Sequence, residues 1–419
     1  MPEKKKSVVP PLRFPEFRDA GEWEVKQLKH ISPAIFDGTH QTPNYTEKGV
    51  PFFSVENIVS GNENKYISRE DYIIATVKNK PEKGDILITR IGNIGFSKVV
   101  DWDYEFSIYV TLAVVKKSEL FNSQYLHCYF QSEYYQKEIL SKSLLSAIPC
   151  KINMDELQKT KVLLPSLPEQ QKIADCLSSL DEVIDLEAQK LEALKAHKKG
   201  LMQQLFPREG ETTPSLRFPE FRDAGEWEVK AIVDLAEKIA QGGTPSTTNP
   251  AYWNGGIPWV TPAEMGNDAA HHYLMTTNRN ISKLGLENSS AELLPPNSVI
   301  ISSRAPIGYV AINKVPMATN QGCKGIIPNN SVYYEFLYFS LINAKRMLND
   351  LGAGAGFKEL SSGVLRSFRL PVPQVGEQQK IADCLSSLDE VIDLQTQKLD
   401  ALKAHKKGLM QQLFPSEVD

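Results

Sequence analysis

Two short motifs in the second half of the chain have residue types that could carry out methyl transfer to a base. NPAY at residues 249–252 is close to an N-P-P-aromatic loop that holds a flipped base, and DLGAGAG at residues 350–356 is close to a glycine-rich turn at a methyl donor. Such a turn must follow a β-strand, whereas the residues before Asp350 have helical spacing and two cations. The loop also lacks its second proline, so we interpret the glycine run as a loop at a helix end.

The other residues that could do chemistry lack partners in the sequence. EVK at residues 24–26 and 228–230 contains the E-x-K of metal-dependent nucleases without a Pro-Asp partner, so we expect strand edges there. His271 and His272 are adjacent and would point to opposite sides of a strand, which makes a poor metal pair. The chain has no G-x-x-x-x-G-K-[ST] motif. We therefore predict no catalytic residue, no metal site and no cofactor bound by this chain.

Bulk composition limits the class of protein. The 419 residues suggest two or three domains. No stretch of about eighteen apolar residues and no apolar run behind the first lysines occurs, so we expect a cytoplasmic protein without membrane contact. The formal charge of −4 is not that of a basic nucleic-acid binder. If DNA is a partner, positive charge must be local or come from other subunits.

The elements that would position any site are repeated. LRFPEFRDAGEWEVK occurs at residues 12–26 and again at 216–230, and residues 169–207 recur at 377–415 with changes at three positions only. The segments between them hardly resemble each other. We therefore divide the chain into a first domain (1–168), a first helix (169–207), a second domain (208–376), a second helix (377–415) and a tail (416–419).

The long repeat has a heptad pattern of Ile and Leu, typical of a coiled-coil seam. The seam residues are Ile173, Leu177, Leu180, Ile184, Leu191, Leu194, Leu201 and Leu205, with Ile381, Leu385, Leu388, Ile392, Leu399, Leu402, Leu409 and Leu413 in the second copy. A helix over residues 169–206 would be about 57 Å long. Gly200 and Gly408 predict a weak point in each helix. We favour pairing within the chain; two amphipathic helices, each packed on its own domain, are the alternative.

Both segments between the repeats predict the same mixed fold. Residues 85–100 and 298–312 are each typical of a strand, a glycine turn and a second strand. Residues 124–140 and 333–351 each have helical spacing, and a small-residue loop and a proline-flanked strand follow. The two segments therefore look like one fold with different surfaces.

At this point the chain resembles a known family, the specificity subunits of type I restriction-modification systems. The resemblance covers nearly the whole length and lies in the tandem arrangement, LRFPEF, the second domain's GGTPSTTNPAYWNGGIPWVTPAEM, LLPPNSVIISSRAPIGYVAI and TNQGCKGIIP, and the exit LPVPQVGEQQKIAD. The first domain's GTHQTPNYTEKGVPFFSVENI is a looser version. It lacks the aromatic-G-G-I-P-W core.

The resemblance implies an α+β fold with two mixed α/β target recognition domains. Two conserved helices would form an antiparallel intramolecular coiled coil with pseudo-two-fold symmetry. In that family each domain reads one part of a split double-stranded DNA target. Two methylation subunits dock and modify adenines, and restriction/translocase subunits join for cleavage. S-adenosylmethionine, ATP and Mg would then belong to the partner subunits.

Base contacts need exposed side chains that can bond to base edges, such as Arg with guanine and Asn or Gln with adenine. The candidates in the first domain are Gln41, Thr42, Asn44, Asn57, Thr89, Arg90, Asn93 and Lys151. The candidates in the second domain are Thr244, Ser246, Thr247, Arg304, Asn320, Gln321 and Lys358. We single out Arg90 and Arg304 because both lie at the turn of the predicted strand pair.

Three functions are weighed on these observations. A non-catalytic DNA-reading subunit ranks first, a self-sufficient adenine methyltransferase second, and a coiled-coil scaffold with carbohydrate- or peptide-binding domains third. The basic tract LKAHKKG, at residues 194–200 and 402–408, fits a solvated helix surface better than a phosphate contact, and a partner-docking role competes with both.

Overall fold

The computed structural model describes residues 8–265, 273–304, 306–351 and 359–415. The chain divides into two compact units. The first unit contains the residues up to Leu186 together with those from Leu399 onward, and the second contains Glu187 to Lys398. Each unit is an α/β domain with parts of two long helices, so the predicted fold class is confirmed.

The first domain is built from short strands and helices in mixed order. Its strands are β1 (Glu24–Gln27), β2 (Ile35–Asp37), β3 (Tyr45–Thr46), β4 (Val50–Phe53), β5 (Tyr66–Ile67), β6 (Ile86–Thr89), β7 (Ser97–Val99), β8 (Ser107–Ile108), β9 (Leu112–Val115) and β10 (Lys161–Leu164). Its helices are α1 (Val55–Ser60), α2 (Arg69–Thr76), α3 (Ser123–Phe130), α4 (Glu133–Ser141), α5 (Met154–Gln158) and the start of α6 (Leu167–Leu205).

An antiparallel sheet of order β2-β9-β6-β7 forms the centre of the first domain. Strand β6 is buried along its whole length. Its alternate residues Ile86 and Ile88 join one hydrophobic cluster, and Leu87 joins another on the opposite face, as the two-residue period of a strand requires. A second sheet, of order β3-β5-β4-β8, pairs β4 with β8 in parallel.

The second domain follows a similar order of elements. Its strands are β11 (Glu228–Ala231), β12 (Ala236–Gln241), β13 (Trp253–Val260), β14 (Tyr273–Leu274), β15 (Asn280–Ile281), β16 (Val299–Ser302), β17 (Val310–Asn313), β18 (Ala318–Thr319), β19 (Cys323–Pro328) and β20 (Arg369–Val372). Its helices are α7 (Ile232–Leu235), α8 (Pro262–Met265), α9 (Lys283–Glu287), α10 (Tyr334–Asn343), α11 (Lys345–Leu351), α12 (Ser362–Ser367) and the start of α13 (Val375–Leu413).

The strands of the second domain make sheets of order β12-β19-β16-β17-β14 and β15-β13-β18. Strand β16 repeats the alternation seen in β6, with Val299 and Ile301 in one hydrophobic cluster and Ile300 in another. The predicted strand pairs are confirmed as β6–β7 and β16–β17. The EVK motifs lie in β1 and β11, which pair with β10 and β20.

Each segment predicted as one helix before the exit strand contains two. In the first domain, α3 ends before Ser132, whose side-chain oxygen accepts a hydrogen bond from the Tyr135 backbone N–H at 3.3 Å and starts α4. In the second domain, Ala344 separates α10 from α11. A local side-chain cap competes with helix continuation, and periodicity alone does not reveal that competition. A helix does precede Asp350's glycine run, as expected, while residues 352–358 lie outside the described residues.

The repeated segment near the start of each domain fixes the start of the long helix. Arg13 donates from Nε and Nη2 to the two carboxylate oxygens of Glu169, each at 2.7 Å, and both side chains are buried. Arg217 and Glu377 make the same fork at 2.7 Å. A bidentate ion pair of this kind fixes the relative orientation of its two side chains and is stronger than a single neutral hydrogen bond. The repeated sequence therefore specifies a repeated junction.

Helices α6 and α13 run unbroken through Gly200 and Gly408, and each would be about 58 Å long. All sixteen predicted seam residues are buried or half-buried. The ends of the seam also serve the domains, because Ile173 and Leu177 lie in the core of the first domain together with Leu413. Helix pairing and packing on the domains, treated above as alternatives, are therefore combined.

Within each unit the two helices contact each other in antiparallel fashion. In the second unit Glu187 meets Gln395 while Lys198, further along α6, meets Asp389, which is earlier in α13. The first unit contains the equivalent ion pair between Asp181 and Lys406. Two lysines of the basic tract thus stabilise the helix pair.

Candidate nucleic-acid interface

The loop after β2 carries three of the predicted reading residues of the first domain. A Cβ atom at Gly38 would lie 2.0 Å from the Ile108 carbonyl oxygen, so only glycine lets the loop cross the end of β8 so closely. The next backbone N–H, that of Thr39, donates to the same oxygen at 3.1 Å. Beyond this contact the side chains of Gln41, Thr42 and Asn44 are exposed and line a cleft of about 630 Å³.

Arg90 lies inside the first domain and not on its surface. It is 7% exposed. Its guanidinium donates to the Asp37 carboxylate at 2.9 Å, to the Val110 carbonyl at 3.0 Å and to the Ile152 carbonyl at 3.3 Å. Asp37 is the last residue of β2, and Val110 and Ile152 lie in two different loops, so Arg90 is placed to hold these three segments together.

Two further candidates of the first domain are committed to internal hydrogen bonds. Asn57 accepts from the Ser54 backbone N–H and hydroxyl at 3.0 and 2.8 Å, and its amide donates to Asn62 and Asn64 at 2.8 and 2.9 Å. Thr89 is fully buried, and its hydroxyl oxygen accepts from the Phe96 backbone N–H at 2.9 Å. These side chains stabilise the local backbone.

Asn93 and Lys151 lie on neighbouring loops of the first domain. Asn93 is exposed at the turn between β6 and β7, and Lys151 is half-buried. The Gly92 backbone N–H donates to the Cys150 carbonyl at 2.8 Å, and Lys151 forms a β-bridge with Ile91. The structure thus brings the turn after β6 and the loop before α5 together.

The second domain supports its equivalent loop in the same way. A Cβ atom at Gly242 would lie 1.7 Å from the Asn320 carbonyl oxygen. Two indole N–H groups then fix the loop, with Trp259 donating to the Gly243 carbonyl at 2.9 Å and Trp253 to the Ser246 carbonyl at 3.1 Å. The exposed candidates on this loop are Thr244, Ser246 and Thr247.

The remaining candidates of the second domain gather around this loop. Gln321 is exposed and accepts a hydrogen bond from the Thr244 hydroxyl, while half-buried Asn320 accepts from the Gly322 backbone N–H at 2.9 Å. Arg304 is half-exposed and lies 3.4 Å from the Glu359 carboxylate. Lys358 lies outside the described residues, as do His271 and His272.

Arg90 and Arg304 both lie at a strand turn but differ by one position in register. Thr89 and Ser302 are the matching residues, because their hydroxyl oxygens accept from the backbone N–H groups of Phe96 and Tyr309 at 2.9 and 2.8 Å. Arg90 therefore matches a serine, and Arg304 matches Ile91. Neighbouring positions of an extended strand face opposite sides, which explains why one arginine is buried and the other exposed.

The residues missed by sequence reasoning are the supports of these loops. Asp37, the acidic partner of Arg90, lies 53 positions earlier in the sequence, and no motif connects the two. The segment AYWNGGIPWV shows that Trp253 and Trp259 are aromatic, but not that their indole N–H groups fix the neighbouring loop. Arg279 lies 3.9 Å from the centre of the Trp253 ring, which adds a cation to this part of the surface.

A hydrogen-bonded Ser–His pair in the first domain is not completed by the carboxylate of a catalytic triad. Ser97 and His127 are hydrogen-bonded at 2.9 Å, but the other ring nitrogen of His127 faces the Gln131 amide nitrogen at 2.8 Å and not a carboxylate. Burial lowers the pKa of His127 to about 4. Burial also raises the pKa of Cys128 and of Cys323 to about 12, which keeps both thiols protonated.

The described residues contain neither a metal-binding cluster nor a membrane-spanning helix. Among the residues that the structure describes, no group of three or more His, Cys, Asp and Glu side chains is placed to hold a metal ion. No helix in the described ranges is long and apolar enough to cross a membrane.

Comparison with known proteins identifies the family. The model of the type I restriction modification DNA specificity domain matches twice, at residues 20–196 and 224–404. The chain is 24% identical over 429 residues to the type I restriction enzyme MjaVIII specificity subunit of Methanocaldococcus jannaschii, a match that covers 97% of this chain and 94% of that protein. It is 42% identical over 171 residues to the MjaIX specificity subunit of the same organism, but this match covers only 40% of this chain and 39% of the relative.

The fold has a solved counterpart. The S subunit of a type I restriction-modification system from M. genitalium aligns over 98% of this chain and 100% of its own with a TM-score of 0.62 and 15% identity. The resemblance inferred from the repeats is thus confirmed. The chain belongs to the type I restriction-modification DNA specificity family, as a specificity subunit and not a catalytic one.

Proposed function

We propose that each α/β domain reads one half of a split, asymmetric DNA target. The observation that carries this proposal is that both domains support an equivalent loop by the same glycine contact, at Gly38 and Gly242, yet present different side chains beyond it. A shared support with unlike side chains suits two unlike half-sites. Loops held on a rigid scaffold are also where binding residues are most often found.

The exposed candidates are the side chains proposed to contact bases. Amide, hydroxyl and guanidinium groups can make the hydrogen bonds that distinguish base edges. In the first domain these are Gln41, Thr42, Asn44 and Asn93, with half-buried Lys151 beside them, and in the second Thr244, Ser246, Thr247, Gln321 and Arg304. Asn57, Thr89 and Arg90 act instead as positioning residues, and Asn320 positions Gly322.

The chemistry belongs to partner subunits in this proposal. Two methylation subunits would bind S-adenosylmethionine and modify adenines, and restriction/translocase subunits would use ATP and Mg for cleavage. Residues 169–207 and 377–415 differ at three positions only, so α6 and α13 can offer two copies of one partner nearly identical surfaces. The partners would also supply phosphate contacts that a chain of net charge −4 does not.

Mapping of modified adenines tests this function. The chain is expressed with its candidate methylation subunits in a host that lacks other adenine methylation, and the genome is sequenced for modified bases. We expect one split, asymmetric motif, and no modification when either component is omitted. Modification by this chain alone would contradict the proposal and favour a self-sufficient methyltransferase.

A further inference from the structure

An apolar loop lies beside the proposed reading residues of the first domain. In the loop between α4 and α5, Leu144, Leu145 and Ile148 are 47%, 60% and 100% exposed. Single exposed apolar residues are common, but three within five positions form a patch of the kind found at binding surfaces. From 144 to 150 the sequence LLSAIPC contains no charged residue.

The base of this loop is fixed by hydrogen bonds. Leu144 and Lys151 form a β-bridge, and the Leu144 backbone N–H donates to the Lys151 carbonyl at 2.7 Å. The Ala147 backbone N–H donates back to the Leu144 carbonyl at 3.3 Å. Leu145 and Ile148 therefore lie exposed on a loop whose base is held by backbone hydrogen bonds.

The same loop is joined to the proposed reading surface. Cys150 exchanges two contacts with Gly92, accepting from its backbone N–H at 2.8 Å and donating its thiol to its carbonyl at 2.8 Å. The Ile152 backbone N–H donates to the Arg90 carbonyl at 2.9 Å, while Arg90 donates to the Ile152 carbonyl. The apolar loop and the turn that carries Asn93 are thus fixed to each other.

DNA has one apolar group that a side chain can read from the major groove, the 5-methyl group of thymine. Resting on the function proposed above, we propose that Ile148 contacts a thymine methyl in the first half-site, with Leu145 beside it. Every half-site that contains a target adenine also contains its paired thymine. Lys151 at the base of the loop gives a positive charge next to the apolar tip, which suits a surface that approaches both phosphates and bases.

The second domain has a different sequence at the matching positions. Lys151 is bridged to Ile91 as Glu359 is bridged to Arg304, so residues 144–150 correspond to 352–358. The chain has GAGAGFK there, outside the described residues. Glycine and alanine occupy the positions of Leu144, Leu145 and Ile148, and Phe357 occupies that of Pro149, so the proposed contact of Ile148 is assigned to the first domain only.

Replacement of thymine by deoxyuridine tests the contact, because it removes the methyl group and leaves the hydrogen-bonding edge intact. The complex with methylation subunits is titrated with duplexes that carry single substitutions at each thymine of the mapped site. One substitution in the first half-site should weaken binding by the wild-type chain by about tenfold. With Ile148→Ala the same substitution should change binding less than twofold. Leu120→Ala, an exposed leucine of the same domain at 50% exposure, is the matched control and should behave as wild type.

Two results would overturn the proposal. One is an equal response of the wild-type and Ile148→Ala complexes to every deoxyuridine substitution in the first half-site. The other is loss of the methylation subunits from the Ile148→Ala complex, which would make the loop a protein-docking surface. In either case the wild-type complex would still bind its split site, so the function proposed above would stand. Failure of that function would appear as the absence of any such site.

Discussion

Arg90 offers the sharpest distinction between reading a base and positioning the loops that read it. Its guanidinium joins Asp37 to the Val110 and Ile152 carbonyls from a buried position. Arg90→Met keeps the apolar stem of the side chain and removes all three interactions. The variant leaves the Asp37 side chain, which is 22% exposed, without its arginine, while the exposed His40 ring stays 3.1 Å from the carboxylate.

The free-energy cost of Arg90→Met follows from these contacts. Breaking one partner of a buried ion pair costs about 3 to 5 kcal/mol, and partial access of water to Asp37 places the expected value near 3 kcal/mol. That is a large part of the roughly 5 to 15 kcal/mol that stabilises a domain. If the opening is local, amide exchange in the joined loops should become on the order of 100-fold faster.

Hydrogen exchange by mass spectrometry measures this effect locally. Peptides covering 89–96 and 144–152 should lose protection in Arg90→Met, while peptides of the second domain remain unchanged. Adding Asp37→Leu removes the carboxylate that has lost its arginine and should restore at least half of the lost protection, because an apolar pair often replaces a buried ion pair at little cost. Arg304→Met is the matched control, since that exposed pair with Glu359 should contribute about 0 to 1 kcal/mol.

One combination of results would contradict a positioning role for Arg90. If Arg90→Met left exchange in both peptides unchanged and relaxed discrimination at one base pair only, Arg90 would be a reading residue. Loss of discrimination across the whole first half-site together with loss of protection is the outcome that a positioning role predicts.

Two further predictions follow from close contacts. Gly38→Ala and Gly242→Ala place a Cβ atom 2.0 and 1.7 Å from a carbonyl oxygen, so each should destabilise its own unit by about 1 to 3 kcal/mol and weaken binding of its own half-site. Gly21→Ala is the control, because a Cβ atom there lies in open space and should cause neither effect. Thermal unfolding measures the change in stability, and half-site titrations measure the change in binding. Gln395→Glu should lower the melting temperature at pH 8, because Gln395 Nε2 now donates to the Glu187 carboxylate at 2.6 Å and would be replaced by a second negative charge. In the wild type, hydrogen bonds from Gln395 and Lys398 lower the pKa of Glu187. The ionised Glu187 therefore stabilises the fold above pH about 4.3, the pKa of an unfolded glutamate, and this stabilisation is lost as the pH falls through the lowered pKa of the folded state. The loss of melting temperature caused by Gln395→Glu should instead shrink as the pH falls toward about 4, where facing carboxylates take up a proton. Adding Glu187→Gln to this variant should restore its melting temperature at pH 8. A loss of melting temperature that does not depend on pH would contradict this explanation.

The repeats made the architecture predictable because they give a comparison within one sequence. The long helices, the seam and the strand pairs β6–β7 and β16–β17 all follow from period and from repeated letters. The start of each long helix also depends on residues far apart in sequence, because Arg13 must find Glu169. Both residues lie in repeated segments, but the sequence does not show that they pair, because the pairing depends on the fold.

The candidate reading side chains were less predictable because exposure depends on register. Arg90 and Arg304 occupy similar places in sequence, yet a one-residue difference turns one inward and the other outward. Asn57 has the side chain expected of an adenine reader, but four local hydrogen bonds occupy it. Residue type identifies what a side chain can bond, whereas only the fold determines whether that capacity is already used.

Comparison of modified-adenine maps from two matched pairs of variants tests the central claim most directly. One chain carries Gln41→Ala with Asn44→Ala, the other carries Thr244→Ala with Gln321→Ala, and each is expressed with the same methylation subunits. If each domain reads one half-site, the first pair should relax or weaken the motif in one half only, and the second pair in the other half only. Changes spread over both halves in either variant, or an unchanged motif in both, would contradict the assignment of one half-site to each domain.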